Sequence, residues 1–182
     1  MFLRVVVPVY DDNFKFVGCC GRTIQPECEK CGYYHFENRK CPENKIEKLW
    51  GSKWRNFGDF SGCVLYNHWY AVPHIYKTQT AILVEGAGNV WRMEEANIHI
   101  GLGMFKTVTS PGQEHALKKL PISNLIIATD NDKAGHEGRE KLIKKFSDSY
   151  NIYEAHFETD VGGASIEETK DIFNPIFRKI GI

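Results

Sequence analysis

Leu125-Ile126-Ile127-Ala128-Thr129-Asp130-Asn131-Asp132-Lys133-Ala134-Gly135 runs four apolar residues into an Asp-x-Asp pair and then into a helix-forming segment. A short apolar run without polar alternation, closed by turn residues, reads as a strand buried on both faces, the kind found inside parallel sheets. From Ala134 to Phe146 the apolar positions Ala134, Leu142, Ile143 and Phe146 fall on one helical face. Upstream, Ala81-Ile82-Leu83-Val84 enters Glu85-Gly86 in the same manner. Working outward, Val90–Ala96 reads as a short helix and Ile98–Leu102 as a strand. Gln113–Leu120 reads as a helix with Ala116, Leu117 and Leu120 inward, and Ile152–Phe157 as a fourth strand. Ser165-x-x-Glu168 is a capping-box pattern opening a last helix. Strands alternating with helices predict a parallel α/β sheet with right-handed crossovers.

The acids of this region sit where strands end. Glu85 closes the first strand, and Asp130 and Asp132 close the third. In extended chain, residues two apart project to one face, so both aspartates point the same way. Ligands of open α/β sheets bind beyond the carboxyl ends of the strands. Carboxylates converging there repel one another until a cation neutralises them. A set of hard oxygens suits Mg²⁺ or Mn²⁺. The plainer alternative is that these acids are helix caps or solvated strand ends.

The first part of the chain has a different texture. Residues 3–9 read as a Val-rich strand, Asp11-Asp12-Asn13 as a turn and Phe14–Cys20 as the returning strand, giving an opening hairpin. Residues 25–48 are polar and Cys-bearing and read as an insertion. Residues 49–75 are aromatic-rich, with Trp50, Trp54, Phe57, Phe60, Tyr66, Trp69 and Tyr70, and read as a junction between lobes. Inside the insertion, Cys28, Cys31, His35 and Cys41 have the spacing C-x2-C-x3-H-x5-C. Three thiolates and an imidazole make a closed structural Zn²⁺ site. The alternatives are free surface cysteines, or a fourth ligand drawn from Cys20 or Cys63. The neighbouring Tyr33, Tyr34, Phe36, Arg39 and Lys40 could stack on single-stranded bases or form the core of so small a module.

Bulk properties bound the rest. The 182 residues carry 23 Lys+Arg against 23 Asp+Glu, so net charge alone does not announce nucleic acid. The chain is long enough for one core or two small lobes. No apolar run reaches the 18 or so residues of a membrane span, and the opening stretch lacks the basic start and small-residue cleavage site of a signal peptide. A cytoplasmic location, with thiols kept reduced, is the expectation, and no membrane partner is expected.

The run into Glu85-Gly86, the strand end Gly101-Leu-Gly103 and Asp130-x-Asp132-x-Ala-Gly135 together resemble the TOPRIM domain shared by primases, type IA and II topoisomerases and certain nucleases, over about residues 80–160. Landmarks outside that span narrow the resemblance. The hairpin from Arg4 to Gly21-Arg22-Thr23-Ile24, the stretch Lys53-Trp-Arg-Asn56 and the segment Leu65-Tyr66-Asn67 look like the elements that precede TOPRIM in bacterial and bacteriophage DnaG-type DNA primases, in the same order. Topoisomerases and TOPRIM nucleases lack this first lobe.

The resemblance implies an α/β fold: residues 1–79 as a small α+β lobe with the zinc-binding insertion at about 25–48, and residues 80–182 as a Rossmann-like, mostly parallel TOPRIM domain with a C-terminal helix. It implies primer synthesis in DNA replication, that is, Mg²⁺- or Mn²⁺-dependent, two-metal nucleotidyl transfer joining NTPs on single-stranded DNA. Glu85, Asp130 and Asp132 are then the catalytic metal ligands, and Arg22, Lys53 and Asn56 the substrate-binding residues. Where the family usually places an acid after Glu-Gly, this chain has Ala87-Gly88-Asn89, so Asn89 would offer the metal an uncharged oxygen. Asp160, in Asp160-Val-Gly-Gly, matches the family's last acid loosely. DnaG-type primases also carry a separate zinc-binding, template-recognition domain and a helicase-contacting region. The expectation is therefore a partner in trans, either a replicative helicase or a recognition subunit. Two other functions share the same acids: a metal-dependent nuclease, in which water attacks, and a nucleic-acid-binding accessory subunit with weakened catalysis.

Overall fold

Thr80–Val84 (β4) is buried at every position, as a central strand of an unalternating apolar run should be. The computed structural model describes residues 3–182; Met1 and Phe2, at the head of the apolar opening stretch, lie outside the described residues. The chain divides into two compact units. One comprises Phe16–Phe60 with the described part of Met1–Val9, and the other comprises Tyr10–Lys15 with Ser61–Ile182.

In the first unit, β1 (Arg4–Tyr10), β2 (Phe16–Thr23) and β3 (Trp54–Phe57) form a three-stranded sheet in that order. β2 and β3 are antiparallel, with Cys20 opposite Asn56 and Arg22 opposite Trp54. Between them lies the Cys-bearing insertion, followed by the short helix α1 (Lys45–Trp50). Asn44 and Glu47 close a full capping box at its start, a signal that passed unread in the sequence. Arg4 binds the insertion's exit to the sheet. Its guanidinium donates to the carbonyls of Trp50 at 2.7 Å, Ser52 at 2.8 Å and Gly21 at 3.0 Å.

The second unit is a four-stranded, wholly parallel sheet in the order β5-β4-β6-β7. Here β5 is Gly101–Gly103, β6 is Asn124–Ala128 and β7 is Asn151–Glu154. The register pairs Val84 with Ala128 and with Gly103, so the chain leaves the three strands at one edge of the sheet. The helices are α2 (His68–Thr78), α3 (Ala87–Glu95), α4 (Pro111–Lys118), α5 (Lys133–Phe146) and α6 (Ile166–Ile180). The core gathers Ile82, Leu83, Leu125, Ile126 and Ile127 from the strands with Ile75, Met93, Leu117, Leu142 and Phe173 from the helices. The α/β architecture read from periodicity is the observed one. At the start of α6, Ser165 accepts from the Glu168 amide at 3.0 Å.

One expectation needs correction. The compact division falls at Phe60, ahead of the lobe boundary expected at residue 79. Residues 49–75, read as a junction, contain β3 and most of α2, and α2 places Ala71 and Ile75 fully in the second unit's core. Pro73 inside α2 and the crowd of aromatics hid its helical period from a sequence reading.

Candidate metal centres

Glu85 follows β4 directly, and Asp130 follows β6 by one residue beyond Thr129. Parallel pairing brings them side by side, and the Asp130 backbone amide donates to Glu85 Oε1 at 3.1 Å. Gly135 permits this closeness. A Cβ there would stand 2.0 Å from the Asp130 carbonyl oxygen and 3.1 Å from Glu85 Oε1, so the Ala-Gly of the motif is a steric requirement at its glycine. Asp132 is the N-cap of α5, its Oδ1 accepting from the Gly135 amide at 2.7 Å. It is thus both a helix cap and a neighbour of Glu85.

Asp160 joins from the loop after β7. The Asn131 amide donates to the Thr159 carbonyl at 2.6 Å, and the Asn131 side chain to the Glu158 carbonyl at 2.9 Å. This ties the 158–160 loop to the Asp-x-Asp turn. Asn89, on the first turn of α3, donates through Nδ2 to Asp130 Oδ1 at 3.1 Å. The electrostatic result is concentrated on Glu85. Burial, then the charges of Asp130, Asp132 and Asp160, push its carboxyl up to about 7. The donor set is all oxygen and mostly anionic, which fits a hard divalent cation. The fit is looser than at the cysteines. Among the described residues, Cys28, Cys31, His35 and Cys41 are the set of such side chains whose ligand atoms all lie within 4.8 Å of one another.

That set has the geometry of a tetrahedral metal site. Cys28 Sγ and Cys41 Sγ are 3.9 Å apart, and Cys31 Sγ and His35 Nε2 are 3.4 Å apart. Two Zn–S bonds of about 2.3 Å at the tetrahedral angle separate their sulfurs by about 3.8 Å. His35 Nδ1 donates to the Phe36 carbonyl at 2.9 Å, so the Nε2 lone pair faces the thiols. Hydrogen bonding from the Lys30 backbone pulls the Cys28 thiol down to about 7. The hydrogen bond with Cys31, with burial and Cys28 adding to it, pushes Cys41 up to about 11. The alternative fourth ligands stand elsewhere: Cys20 is buried in β2 and Cys63 is exposed in the second unit.

Arg22, Lys53 and Asn56 lie on or beside the β2–β3 ladder. The Arg22 guanidinium sits over the Trp54 ring, 5.5 Å from its centroid. The side chains of Lys53 and Asn56 are exposed. Beside them, Arg55 stacks on Trp50 at 3.6 Å and on Phe57 at 4.8 Å.

Residues 79–155 match the Toprim domain family. This part of the chain is similar to a Toprim domain. The Toprim domain and the lobe before it also resemble larger proteins. A DNA primase of Geobacillus stearothermophilus is 26% identical over 144 residues, covering 79% of this chain and 21% of the relative. The crystal structure of the zinc-binding and RNA polymerase domains of the Aquifex aeolicus primase superposes with a TM-score of 0.69 at 23% identity, over 98% of this chain and 40% of that one. A DnaG primase catalytic domain bound to single-stranded DNA gives 0.70 at 17% identity, over 97% and 51%. The chain therefore spans about a fifth of the curated relative and about half or less of these solved chains. Its fold is that of primase catalytic cores, and the resemblance read from Arg4 to Asp132 holds.

One residue of the Toprim domain escaped the sequence reading. Arg139, on α5, is buried and donates to Thr129 Oγ1 at 3.2 Å, to the Thr129 carbonyl at 3.1 Å and to His156 Nδ1 at 2.7 Å. It holds the backbone immediately before Asp130. An arginine on the buried side of an otherwise apolar helix face was the available signal.

Proposed function

We propose that this chain is the catalytic core of a DNA primase: a DNA-directed nucleotidyltransferase that joins ribonucleotides into primers on single-stranded DNA. The observation that carries the proposal is the gathering of Asp130, Asp132 and Asp160 on Glu85, whose carboxyl is raised to about 7 by burial and then by those charges, in a chain that superposes over 97% of its length, first lobe included, on a primase catalytic domain. Glu85, Asp130 and Asp132 hold Mg²⁺ or Mn²⁺, with Asp160 and the Asn89 amide oxygen completing the surround. Such an ion supplies Lewis-acid activation of the primer 3′-hydroxyl and charge neutralisation at the triphosphate. In the reaction the 3′-oxygen loses its proton and bonds to the α-phosphorus, while the bond from that phosphorus to pyrophosphate breaks. Arg22 and Lys53 contact phosphates, Arg22 through its planar fork, and Asn56 contributes a neutral hydrogen bond to substrate. Cys28, Cys31, His35 and Cys41 hold one structural Zn²⁺. The partners proposed are single-stranded DNA template, NTPs and a replicative helicase or separate template-recognition subunit. No helix among the described residues is long and apolar enough to cross a membrane, in keeping with a cytoplasmic site of action.

The test is incubation with single-stranded template, the four NTPs and Mg²⁺ or Mn²⁺. Appearance of short ribo-oligonucleotides complementary to the template supports the proposal. Template degradation without synthesis replaces it with a nuclease.

A further inference from the structure

All four acids of the Toprim centre commit one oxygen to an N–H donor. Glu85 Oε1 accepts from the Asp130 amide, Asp132 Oδ1 from the Gly135 amide, and Asp160 Oδ1 from the Gly163 amide at 2.6 Å. In the fourth the donor is a side chain: Asp130 Oδ1 accepts from Asn89 Nδ2 at 3.1 Å. Asn89 is nearly buried, at 9% exposure. It stands at the third helical position of α3, whose first turn carries no acid, although an acid at a helix start is the electrostatically favoured choice. An amide there changes what Asp130 can do. Its N–H edge is the positive end of the group, so it fixes the Asp130 carboxylate while opposing a cation on the Oδ1 side. A carboxylate that bridges two ions commonly offers one oxygen to each, and at Asp130 Oδ1 the Asn89 N–H takes one lone-pair site and sets a positive group where a second ion would approach.

We propose that Asn89 is a positioning residue that restricts the resting centre to a single divalent cation, the second ion of the transfer reaction arriving with the nucleoside triphosphate. The proposal rests on the nucleotidyl-transfer reading above. Asn89 restricts the site through its N–H on Asp130, and the amide oxygen it turns to the ion adds no charge, so the acids meet one ion as a set of single-oxygen ligands. Mg²⁺, which keeps much of its hydration shell and takes few carboxylates, suits such a set. The triphosphate brings its own oxygens and negative charge, and with them a place for the second ion.

The experiment is a Mn²⁺ titration of the full 182-residue chain, its zinc retained and the acidic centre cleared of divalent ions, with free Mn²⁺ read by electron paramagnetic resonance. Without nucleotide, the wild type binds one Mn²⁺ per chain; with a non-hydrolysable ATP analogue, it binds two. Asn89→Asp binds a second Mn²⁺ without nucleotide, at least tenfold tighter than any second binding in the wild type. Asn89→Ala keeps one Mn²⁺ at several-fold lower affinity, because Asp130 is no longer held; this variant decides the matter should Asn89→Asp fail to fold. Two Mn²⁺ of similar affinity in the nucleotide-free wild type would overturn the proposal. So would Mn²⁺ binding by folded Asn89→Asp or Asn89→Ala that matches the wild type. No bound Mn²⁺ in the wild type overturns the catalytic reading as well, whereas one bound Mn²⁺ without primer synthesis overturns that reading alone.

Discussion

The Asp130 backbone amide donates to Glu85 Oε1 at 3.1 Å, joining two strand ends that lie 45 residues apart in sequence. One acid is thus partly buried against another's backbone, and Glu85 holds its proton up to about pH 7 instead of the ordinary 4.5.

That shift has a sign for stability. Below about 4.5 the carboxyl is protonated in both folded and unfolded chains, so it contributes nothing. Between 4.5 and 7 the folded chain retains a proton that the unfolded chain has released, so stability falls as pH rises; above 7 the whole penalty is present. The unscreened conversion is about 3 kcal/mol. With half the group open to solvent, we expect about 1–2 kcal/mol between pH 5 and 8 in metal-free protein. Urea melts of wild type and Glu85→Gln across that range, in chelator, measure it. An identical pH slope in the two proteins would refute the assignment to Glu85.

Asp130→Ala removes a proposed metal ligand and relieves repulsion on Glu85 together. The expected outcome is at least a 100-fold loss of primer synthesis and of Mn²⁺ affinity. The metal-free fold should be retained, with stability unchanged or raised by up to about 1 kcal/mol, because a partly buried like charge is gone. Activity assays and calorimetry on the same preparation test it. Wild-type turnover with normal metal dependence would show that the site lies elsewhere.

Arg139 holds the chain just before Asp130 by bonds to the Thr129 hydroxyl and carbonyl. Arg139→Met removes these donors in a buried setting, although the Thr129 hydroxyl keeps its own bond to the Gly135 carbonyl at 3.0 Å, and should cost about 1–3 kcal/mol. Arg139→Lys keeps the charge but loses the fork and should cost about 1–2 kcal/mol. Chemical denaturation decides. A Met variant within 0.5 kcal/mol or so of wild type, the range of ordinary surface substitutions, would show that Arg139 bears no such load.

Elemental analysis of protein purified without added metal should find about one zinc per chain. Cys31→Ser or Cys41→Ser should lose it and destabilise the first unit. His35→Ala should retain the metal weakly, because the three sulfurs remain. Protein free of zinc, with Cys28, Cys31 and Cys41 all reacting at once with a thiol reagent in the native state, would contradict the four-ligand site.

Local sequence determined the strands around Ile82 and Ile126, the helix from Lys133, the Asp-x-Asp turn and the spacing of Cys28, Cys31, His35 and Cys41. Each is a short-range pattern in which burial or chelation recurs within a few residues, and nearby residues alone establish it. The tertiary structure decided the rest. Helix α2 was masked by Pro73 and its aromatics until packing placed Ala71 and Ile75 in the second unit's core. The bond from Asn89 to Asp130 spans 41 residues, and the capture of the Asp160 loop by Asn131 spans about 27. Arg139 acquires its role when β6 and α5 fold against each other. Such contacts depend on which strand ends the parallel register brings together, and no local periodicity encodes that; Glu85 meets Asp130 only when β4 and β6 lie side by side.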